Sequence, residues 1–243
     1  GAVRNGDGFI SLGTSGVMFV VNDAYRPNAE AAVHAFCHAL PNRWHQMSVM
    51  LSAASCLRWV CQLTHAANEL ELLAEIEALS EPARSAPIFL PYLSGERTPH
   101  NDAHAQGVFF GLTHDATRAQ LGYAVLEGVT FGLKDGLCAL QAAGTQVTSL
   151  SLVGGGSRSA FWAQLLADIL QVNICTHVGS EAGGALGAAR LGALAYGLSE
   201  DEVCGKPPVL QTYVPRVESA ILEVRYQQFK TVYSALKPIF PCA

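Results

Sequence analysis

Two glycine-rich turns, each following a predicted strand, contain the residue types that bind phosphate. They are residues 13–16 (GTSG) and 154–157 (GGGS). Glycine lets backbone N–H groups face an anion without a Cβ in the way, and Thr14 and Ser15 add hydroxyl donors. The second turn also precedes a predicted helix, whose positive end favours phosphate. Either turn alone fits an ordinary tight connection, so the pair indicates an anion site of undecided type.

The second turn also imitates a dinucleotide-binding fingerprint. Gly154 and Gly156 have the required spacing, and Glu181 follows the next predicted strand. The third glycine of that fingerprint packs helix against strand, but Ser159 stands at its position here. A P-loop does not fit either, because no Gly-Lys-Ser/Thr follows the glycines. The spacing therefore predicts a nucleotide without deciding which one.

The loop at 92–102 (YLSGERTPHND) is the densest polar cluster in the chain. Its Glu, Arg, Asn and Asp side chains supply hydrogen-bond donors and acceptors together, which a polyhydroxylated ligand requires. The alternative is a solvated loop whose charged side chains pair with one another. Composition alone favours that alternative, so the loop on its own does not predict a ligand.

Neither the histidines nor the cysteines predict a metal site. His34 and His38 lie four residues apart, as do His100 and His104, and such a pair on a helix could ligate a metal. No third ligand has suitable spacing, so we expect no metal there. The seven cysteines are odd in number and contain no Cys-x-x-Cys pair. That usage is typical of a reduced, cytoplasmic protein.

The composition of the 243 residues excludes several classes of protein. Half of the residues are hydrophobic and 14% are charged, which is the opposite of a disordered chain. The formal net charge of −5 argues against a domain that neutralises nucleic-acid phosphates. The uncharged stretches 8–22 and 136–157 are interrupted by polar residues and glycines, so neither predicts a membrane span.

Hydrophobic periodicity predicts alternating strands and helices in the second half of the chain. Strands at 147–153 and 172–178 precede helices at 159–170 and 184–196. This order favours an α/β fold with parallel strands. The other predicted elements are a hairpin at 9–22, a helix at 48–63, a helix from Asn68, loops around a strand at 87–93, a helix from Thr117 and a last helix carrying 222–236.

The helix that begins at Thr117 contains an unusual row of glycines. Thr117 and Gln120 form a capping-box pair at its start. Gly128, Gly132 and Gly136 then recur at every fourth residue, although each glycine costs about 1 kcal/mol of helix stability relative to alanine. The row predicts a face that another segment approaches closely. Whether that segment belongs to this domain or to another one stays open.

Several longer blocks of the chain resemble one known family, the FGGY carbohydrate kinases. Residues 107–127 (GVFFGLTHDATRAQLGYAVLE) match a family signature at every specified position. Residues 11–16, 91–102, 152–170 and 185–195 resemble further family blocks. The block at 91–102 is similar to the version found in the branch that acts on xylulose, rather than on glycerol or gluconate.

The resemblance implies an actin-like ATPase fold of RNase H-like domains, with a mixed sheet flanked by helices. Such kinases bind the sugar deep in a cleft between two domains and bind MgATP mainly on the second. The whole chain, 1–243, resembles that C-terminal, ATP-binding domain. A sugar-binding N-terminal domain is therefore expected before it, with the catalytic aspartate a few residues upstream of Gly1. The isolated fragment is expected to be inactive.

The resemblance also assigns ATP-binding residues. Gly13, Thr14 and Ser15 resemble the phosphate-binding turn, and Thr14 stands at the position that hydrogen-bonds the β- and γ-phosphates. Gly154 and Gly155 resemble the glycines against which the nucleotide packs. These five residues are the expected centre of the nucleotide site.

Further positions match the family less closely. Ser159 stands where relatives often have an asparagine near the adenosine, and its hydroxyl is shorter than an amide. Residues 181–187, beginning at Glu181, are expected to flank the nucleotide pocket. Glu96 and Arg97 are expected on the sugar side of the cleft.

The activity implied is transfer of the γ-phosphate of ATP to D-xylulose, giving xylulose 5-phosphate, with Mg²⁺ as the expected metal. An aspartate takes the proton of the sugar hydroxyl during in-line transfer. The expected partners are the sugar, the N-terminal domain of the same protein and a second copy in a homodimer, but neither nucleic acid nor membrane. The alternatives are a kinase of another sugar or polyol, a non-catalytic actin-like nucleotide-binding module and a dinucleotide-dependent oxidoreductase.

Overall fold

The computed structural model describes residues 1–179, 183–216 and 220–241, so Glu181 and Cys242 lie outside the described residues. The strands are β1 (Gly8–Leu12), β2 (Gly16–Asn22), β3 (His34–Cys37), β4 (Trp44–Met50), β5 (Ile88–Leu90), β6 (Val108–Phe110), β7 (Ser149–Val153), β8 (Asn173–His177) and β9 (Val209–Tyr213). The helices are α1 (Ala54–Leu63), α2 (Glu69–Glu77), α3 (Arg118–Ala142), α4 (Ala160–Leu170), α5 (Gly183–Ala195), α6 (Glu200–Val203) and α7 (Ala220–Leu236).

Seven strands form one mixed sheet in the order β3-β4-β2-β1-β7-β8-β9. The pairs among β1 to β4 are antiparallel, β7 and β8 are parallel to β1, and β9 is antiparallel to β8. Strands β5 and β6 form a separate antiparallel pair. The predicted α/β class with a mixed sheet flanked by helices is confirmed.

The two faces of the sheet have different environments because successive side chains on a strand alternate between them. On β1, Ile10 and Leu12 are fully buried and join the core formed with α3 and α4. Phe9 and Ser11 are only half-buried and face a cleft under α5. The face with α3 and α4 is therefore tightly packed, whereas the face with α5 retains open space.

Two predicted boundaries are wrong. The helix predicted from Ser48 begins only at Ala54, because Ser48–Met50 is the end of β4, which pairs with β2. Small and apolar residues continue from β4 into α1, so a helical spacing of apolar residues extends back into the end of the strand. The predicted strand at 87–93 shortens to β5, and its partner β6 was not predicted. The prolines at 87 and 91, which cannot donate to a ladder, flank that short strand.

Both predicted helix N-termini with side-chain caps are confirmed. The side chain of Asn68 accepts from the amide of Glu71 at the start of α2. At the start of α3, Thr117 and Gln120 form a reciprocal capping box. These contacts satisfy amides that have no partner within the helix. None of the helices within the described ranges is both long enough and apolar enough to cross a membrane.

The glycine row of α3 packs against other segments of the same domain. A Cβ on Gly128 would overlap the carbonyl oxygen of Phe89 in β5. On Gly132 it would lie 2.6 Å from Cε of Met50, and on Gly136 it would lie 2.6 Å from Oγ of Ser48. The predicted close approach is confirmed, and the question that the sequence left open is answered. This face of α3 packs on β4 and β5.

A buried ion pair joins α3 to α7. Arg225 donates through Nε to Glu127 Oε1 at 2.8 Å and through Nη2 to Glu127 Oε2 at 2.5 Å. The same guanidinium donates to the carbonyl oxygens of Ala86 and Pro87 at 2.9 and 3.1 Å. Tyr123 donates its hydroxyl to Glu127 at 3.2 Å. One arginine thus connects α7, α3 and the segment that enters β5.

We expect Arg225→Met to lower the free energy of unfolding by about 3–5 kcal/mol, because it leaves the Glu127 carboxylate buried without its partner. Glu223→Gln is the matched control. It removes the Glu223–Lys134 ion pair, which joins the same two helices at 2.9 Å but is partly exposed. The control should cost less than about 1 kcal/mol. Urea denaturation measures both, and equal losses would contradict the role given to the buried pair.

We expect Gly128→Ala to lower the free energy of unfolding by about 1–3 kcal/mol, because the added methyl must displace the Phe89 backbone. Gly192→Ala in α5 is the control, since a Cβ there meets nothing within 4 Å. That change should be neutral or stabilising by up to about 1 kcal/mol, the difference in helix propensity. Thermal unfolding of the two variants checks the prediction, which fails if Gly128→Ala matches its control.

Candidate functional site

The two glycine turns meet at one edge of the main sheet. Strands β1 and β7 are parallel, with Ser11 opposite Val153, so the chain leaves β7 beside the end of β1. Gly154 has φ +89°, and a Cβ there would lie 2.8 Å from the carbonyl oxygen of Leu12. Only glycine fits both that backbone conformation and that contact. Pairing of β1 with β7 therefore brings residues 13–16 and 154–157 together.

The N-terminus of α1 holds the first turn. The amides of Ala53 and Ala54 donate to the carbonyl oxygens of Thr14 and Gly13 at 2.9 and 2.8 Å. The Ser55 hydroxyl donates to the Thr14 carbonyl oxygen at 2.7 Å. Helix amides that would otherwise lack partners are thus satisfied by the turn. The turn carbonyls face α1, while the residues Thr14 and Ser15 are exposed.

Ser55 is a residue of this site that the sequence reasoning missed. The prediction of one helix over 48–63 placed Ser55 in a helix interior, where its hydroxyl would have no role in the turn. A correct helix start at Ala54 puts Ser55 in the first helical turn. A serine at that position is a signal for a hydrogen bond at a helix N-terminus.

The second turn leads into α4 through a short 3₁₀ segment, Gly155–Arg158, rather than opening the α-helix directly. Ser159 is the N-cap of α4, and its side chain accepts from the Trp162 amide at 3.1 Å. Its hydroxyl is buried by this capping role, so a contact with adenosine stays a prediction. Gly155 is exposed, and a Cβ there would meet nothing within 4 Å.

A cleft of about 480 Å³ lies beside the second turn, between the sheet and α5. Its floor includes Phe9 and Phe19, whose rings stack with centroids 5.0 Å apart. Seven glycines line it, and two basic side chains line it as well. The residues are Gly1, Gly8, Gly154, Gly179, Gly183, Gly184, Gly187, Arg190 and Lys206. An apolar floor, open glycine backbone and positive charge suit a flat ring that carries an anionic group.

His177 lines the same cleft but is fully engaged in hydrogen bonds. Its Nδ1 lies 2.9 Å from the carbonyl oxygen of Pro207, which can only accept, so Nδ1 carries the proton. Its Nε2 shares a hydrogen bond of 2.9 Å with the Ser151 hydroxyl. Both ring nitrogens of this buried imidazole are thus engaged by neighbouring protein groups, and the side chain fixes the cleft wall.

The polar loop lies next to the same edge of the sheet. Met50, the last residue of β4, pairs with Gly16, and the Thr98 amide donates to the carbonyl oxygen of Val49 at 3.0 Å. Arg97 is exposed, whereas Glu96 is 3% exposed. Any effect of Glu96 on a sugar therefore acts through its neighbours.

The two histidine pairs singled out in the sequence lie in different surroundings. His100 stacks on Tyr233 with centroids 3.8 Å apart and shares a 2.9 Å hydrogen bond with the Tyr92 hydroxyl. Burial lowers the pKa of His100 to about 4, so this imidazole is neutral at neutral pH. His34 lies on the edge strand β3 and His38 follows that strand. Within the described ranges, no three His, Cys, Asp or Glu side chains are grouped to hold a metal ion.

Known proteins with similar sequences and structures belong to one family. The family described as "FGGY family of carbohydrate kinases, C-terminal domain" matches residues 8–196. The chain is 46% identical to the xylulose kinase of Escherichia coli (strain K12), over 98% of the chain and 50% of that relative. It is 45% identical to the xylulose kinase of Klebsiella pneumoniae, with the same coverage. The chain thus spans about half the length of the curated relatives it matches.

Solved structures agree with the sequence comparison. The crystal structure of a xyloylose kinase from Brucella ovis superposes with a TM-score of 0.91 at 48% identity, covering 98% of this chain and 49% of that one. A xylulose kinase structure from Rhodospirillum rubrum superposes with a TM-score of 0.84 at 26% identity, over 99% of this chain and 49% of that one. The chain belongs to the FGGY family of carbohydrate kinases, whose actin-like ATPase fold it has, and residues 8–196 are the C-terminal domain of that family.

Proposed function

We propose that this chain is the ATP-binding half of a kinase that transfers the γ-phosphate of ATP to D-xylulose. The observation that carries the proposal is the contact of Gly154, in the second turn, with Leu12, the residue immediately before the first turn, beside an open cleft. The proposed sugar, D-xylulose, comes from the names of relatives, since the chain is 45–46% identical to proteins named xylulose kinase. The intact kinase is, in this proposal, the present chain together with a sugar-binding N-terminal domain of the same protein.

The geometry fits an adenine nucleotide. The cleft volume of about 480 Å³ lies within the roughly 300–1,000 Å³ typical of small-molecule sites. Gly183, Gly184 and Gly187 line the cleft, and a Cβ on any of them would meet nothing within 4 Å, so no other protein group lies against this part of α5. In this proposal the ring system of ATP occupies this space and the nucleotide packs against Gly154 and Gly155. The phosphates of ATP lie at the first turn.

In the proposed reaction the residues of this chain bind and orient. Thr14, Ser15 and the exposed turn backbone donate to the phosphates, while α1 holds the Thr14 carbonyl away from them. Mg²⁺, when bound with the nucleotide, neutralises phosphate charge. An aspartate of the intact kinase takes the proton of the sugar hydroxyl. The oxygen then bonds to the γ-phosphorus as the bond to the β–γ bridging oxygen breaks, which releases ADP.

The surroundings of the site support further parts of the proposal. The six cysteines in the described ranges are all free thiols, which favours the cytoplasm as the working compartment. Leu210 and Val209 on the edge strand β9 are 69% and 55% exposed. Apolar edge residues of this kind favour burial against another domain or a second copy, and we propose a homodimer of the intact kinase.

A paired activity assay tests the proposed function. The intact kinase should phosphorylate D-xylulose with a higher kcat/KM than glycerol, gluconate or other sugars, whereas this chain alone should show no turnover above a contaminant control. If the enzyme prefers another acceptor, the assignment of D-xylulose as the substrate is wrong, but the assignment of the protein as a kinase stands. Turnover by the 243 residues alone would contradict the assignment of catalysis to two halves. Calorimetry with ATP and NAD⁺ separates the remaining candidates, because tighter NAD⁺ binding would favour an oxidoreductase.

We expect Thr14→Ala in the intact kinase to lower kcat by about 10²-fold, since it removes one donor to a phosphate that gains charge during transfer. The KM for the sugar should change much less, because the sugar binds outside the first turn. Thr231→Ala, an exposed threonine on α7, is the matched control and should leave both constants unchanged. Steady-state kinetics measure the effect, and an unchanged kcat would remove Thr14 from the phosphate site.

A further inference from the structure

Glu96 has an unusual environment for a carboxyl group in a loop. Its Oε1 accepts two backbone hydrogen bonds, from the amide of Leu51 at 3.0 Å and from the amide of Arg97 at 2.7 Å. Its Oε2 is buried and has no hydrogen-bond partner among the described residues. A buried polar atom without a partner costs free energy. Any favourable contribution of the Glu96 side chain therefore comes from the two hydrogen bonds that Oε1 accepts, from the amides of Leu51 and Arg97.

The loop around Glu96 continues the main sheet beyond the end of β3. Strand β3 pairs with β4 only as far as Met47. Further along β4, the amide of Val49 donates to the Thr98 hydroxyl and the amide of Thr98 donates to the Val49 carbonyl oxygen, both at 3.0 Å. Glu96 adds the next contact, to Leu51. Residues 96–98 therefore form a second attachment along the exit of β4.

The end of β4 leads directly to the segment that holds the first glycine turn, residues 13–16, which is called the phosphate turn below. Leu51 lies two residues before Ala53, whose amide holds the Thr14 carbonyl oxygen at 2.9 Å. The Ser55 hydroxyl holds the same oxygen. The segment from Leu51 to Ser55 is therefore fixed to Thr14 by its own hydrogen bonds, and Glu96 attaches the backbone of Arg97 to that fixed segment.

On its other side, Glu96 fixes the backbone of Arg97. The backbone of Glu96 also pairs with Asp102, with each amide donating at 2.8 Å to the other carbonyl oxygen. Gly95 turns the chain with φ +73°, and a Cβ there would lie 2.9 Å from the carbonyl oxygen of Ala103. The exposed Arg97 side chain thus extends from a backbone that is held at several points. Its Nη1 lies 3.4 Å from Nε2 of His34.

Oε1 can accept both hydrogen bonds whether or not the carboxyl is protonated. Burial, with a smaller contribution from the charge of Asp135, raises the pKa of Glu96 to about 7, against the lowering effect of the two amides. The amide oxygen of a glutamine could therefore replace Oε1. An alanine removes the acceptor altogether.

We infer that Glu96 is a positioning residue, whose Oε1 links the Arg97 backbone to Leu51 and thereby holds the Arg97 side chain, which in this proposal faces the sugar, at a fixed separation from the phosphate turn. The inference rests on the proposed kinase function and adds a residue that touches neither substrate. It predicts that a loss at Glu96 acts through Arg97. Because a misplacement of about 1 Å can cost 10²-fold in rate, such a residue should affect kcat strongly.

A double-mutant cycle in the intact kinase tests the inference. Glu96→Ala should lower kcat by about 10- to 100-fold, while Glu96→Gln should stay within about threefold of the wild type. In an Arg97→Ala background, Glu96→Ala should lower kcat by less than about threefold further, because the two residues act as one unit. Glu77→Ala, an exposed glutamate at the end of α2, is the control and should leave kcat unchanged.

Three results would overturn the inference: multiplicative losses in the cycle, a Glu96→Ala enzyme as active as the control, or an Arg97→Ala enzyme with unchanged kcat. Hydrogen exchange on this chain needs no activity and covers a Glu96→Ala variant too unstable to assay. The amides of Leu51 and Arg97 should open together in the wild type, and independent exchange would also overturn the link. A wild-type intact enzyme without kinase activity would instead overturn the proposed function.

Discussion

Because Gly128 has no side chain, the carbonyl oxygen of Phe89 rests against the backbone of α3, and Gly132 and Gly136 admit Met50 and Ser48 along the same face. This close approach fixes β4 and β5 relative to one rigid helix. Strand β4 leads to the N-terminus of α1 and so to the first glycine turn, while β5 leads to the loop of Glu96. The spacing between that turn and that loop therefore originates in a helix that does not line the cleft.

A buried ion pair provides a second connection between α3 and the segment that enters β5. Arg225 binds Glu127 on α3 and the carbonyl oxygens of Ala86 and Pro87, immediately before β5. A buried ion pair contributes less to net stability than its short distances suggest, because both charges lose their hydration. It does fix geometry, since a planar guanidinium satisfies a carboxylate and two carbonyls only in one arrangement. The position of β5 relative to α3 is thus fixed in two ways, by the close contact at Gly128 and by the directional hydrogen bonds of Arg225.

Local signals predicted much of this domain, and long-range pairing explains most of what they missed. The hairpin, the capped starts of α2 and α3 and the alternation of β7, α4, β8 and α5 follow from nearby residues. Strands β3, β4, β6 and β9 were missed. Strands β3 and β6 have only four and three residues, and β6 and β9 pair with strands that lie far away in the sequence. For the site, both glycine turns were predicted, but their contact at Leu12 depends on the pairing of β1 with β7. Ser55 was missed because the end of β4 was taken as helix.

The uneven packing of the sheet has a consequence for how the domain and its ligand share stability. None of the thirteen residues of α5, all of them described, is buried, and glycine occupies several of its cleft-side positions. On this side the hydrophobic core is unfinished, with Phe9 and Phe19 covering the sheet from below and a cleft above them. A nucleotide bound there, as proposed, would cover this face, and part of its binding free energy would stabilise the packing of α5 on the sheet. On this face of the sheet, occupancy of the cleft would therefore set part of the stability of the fold.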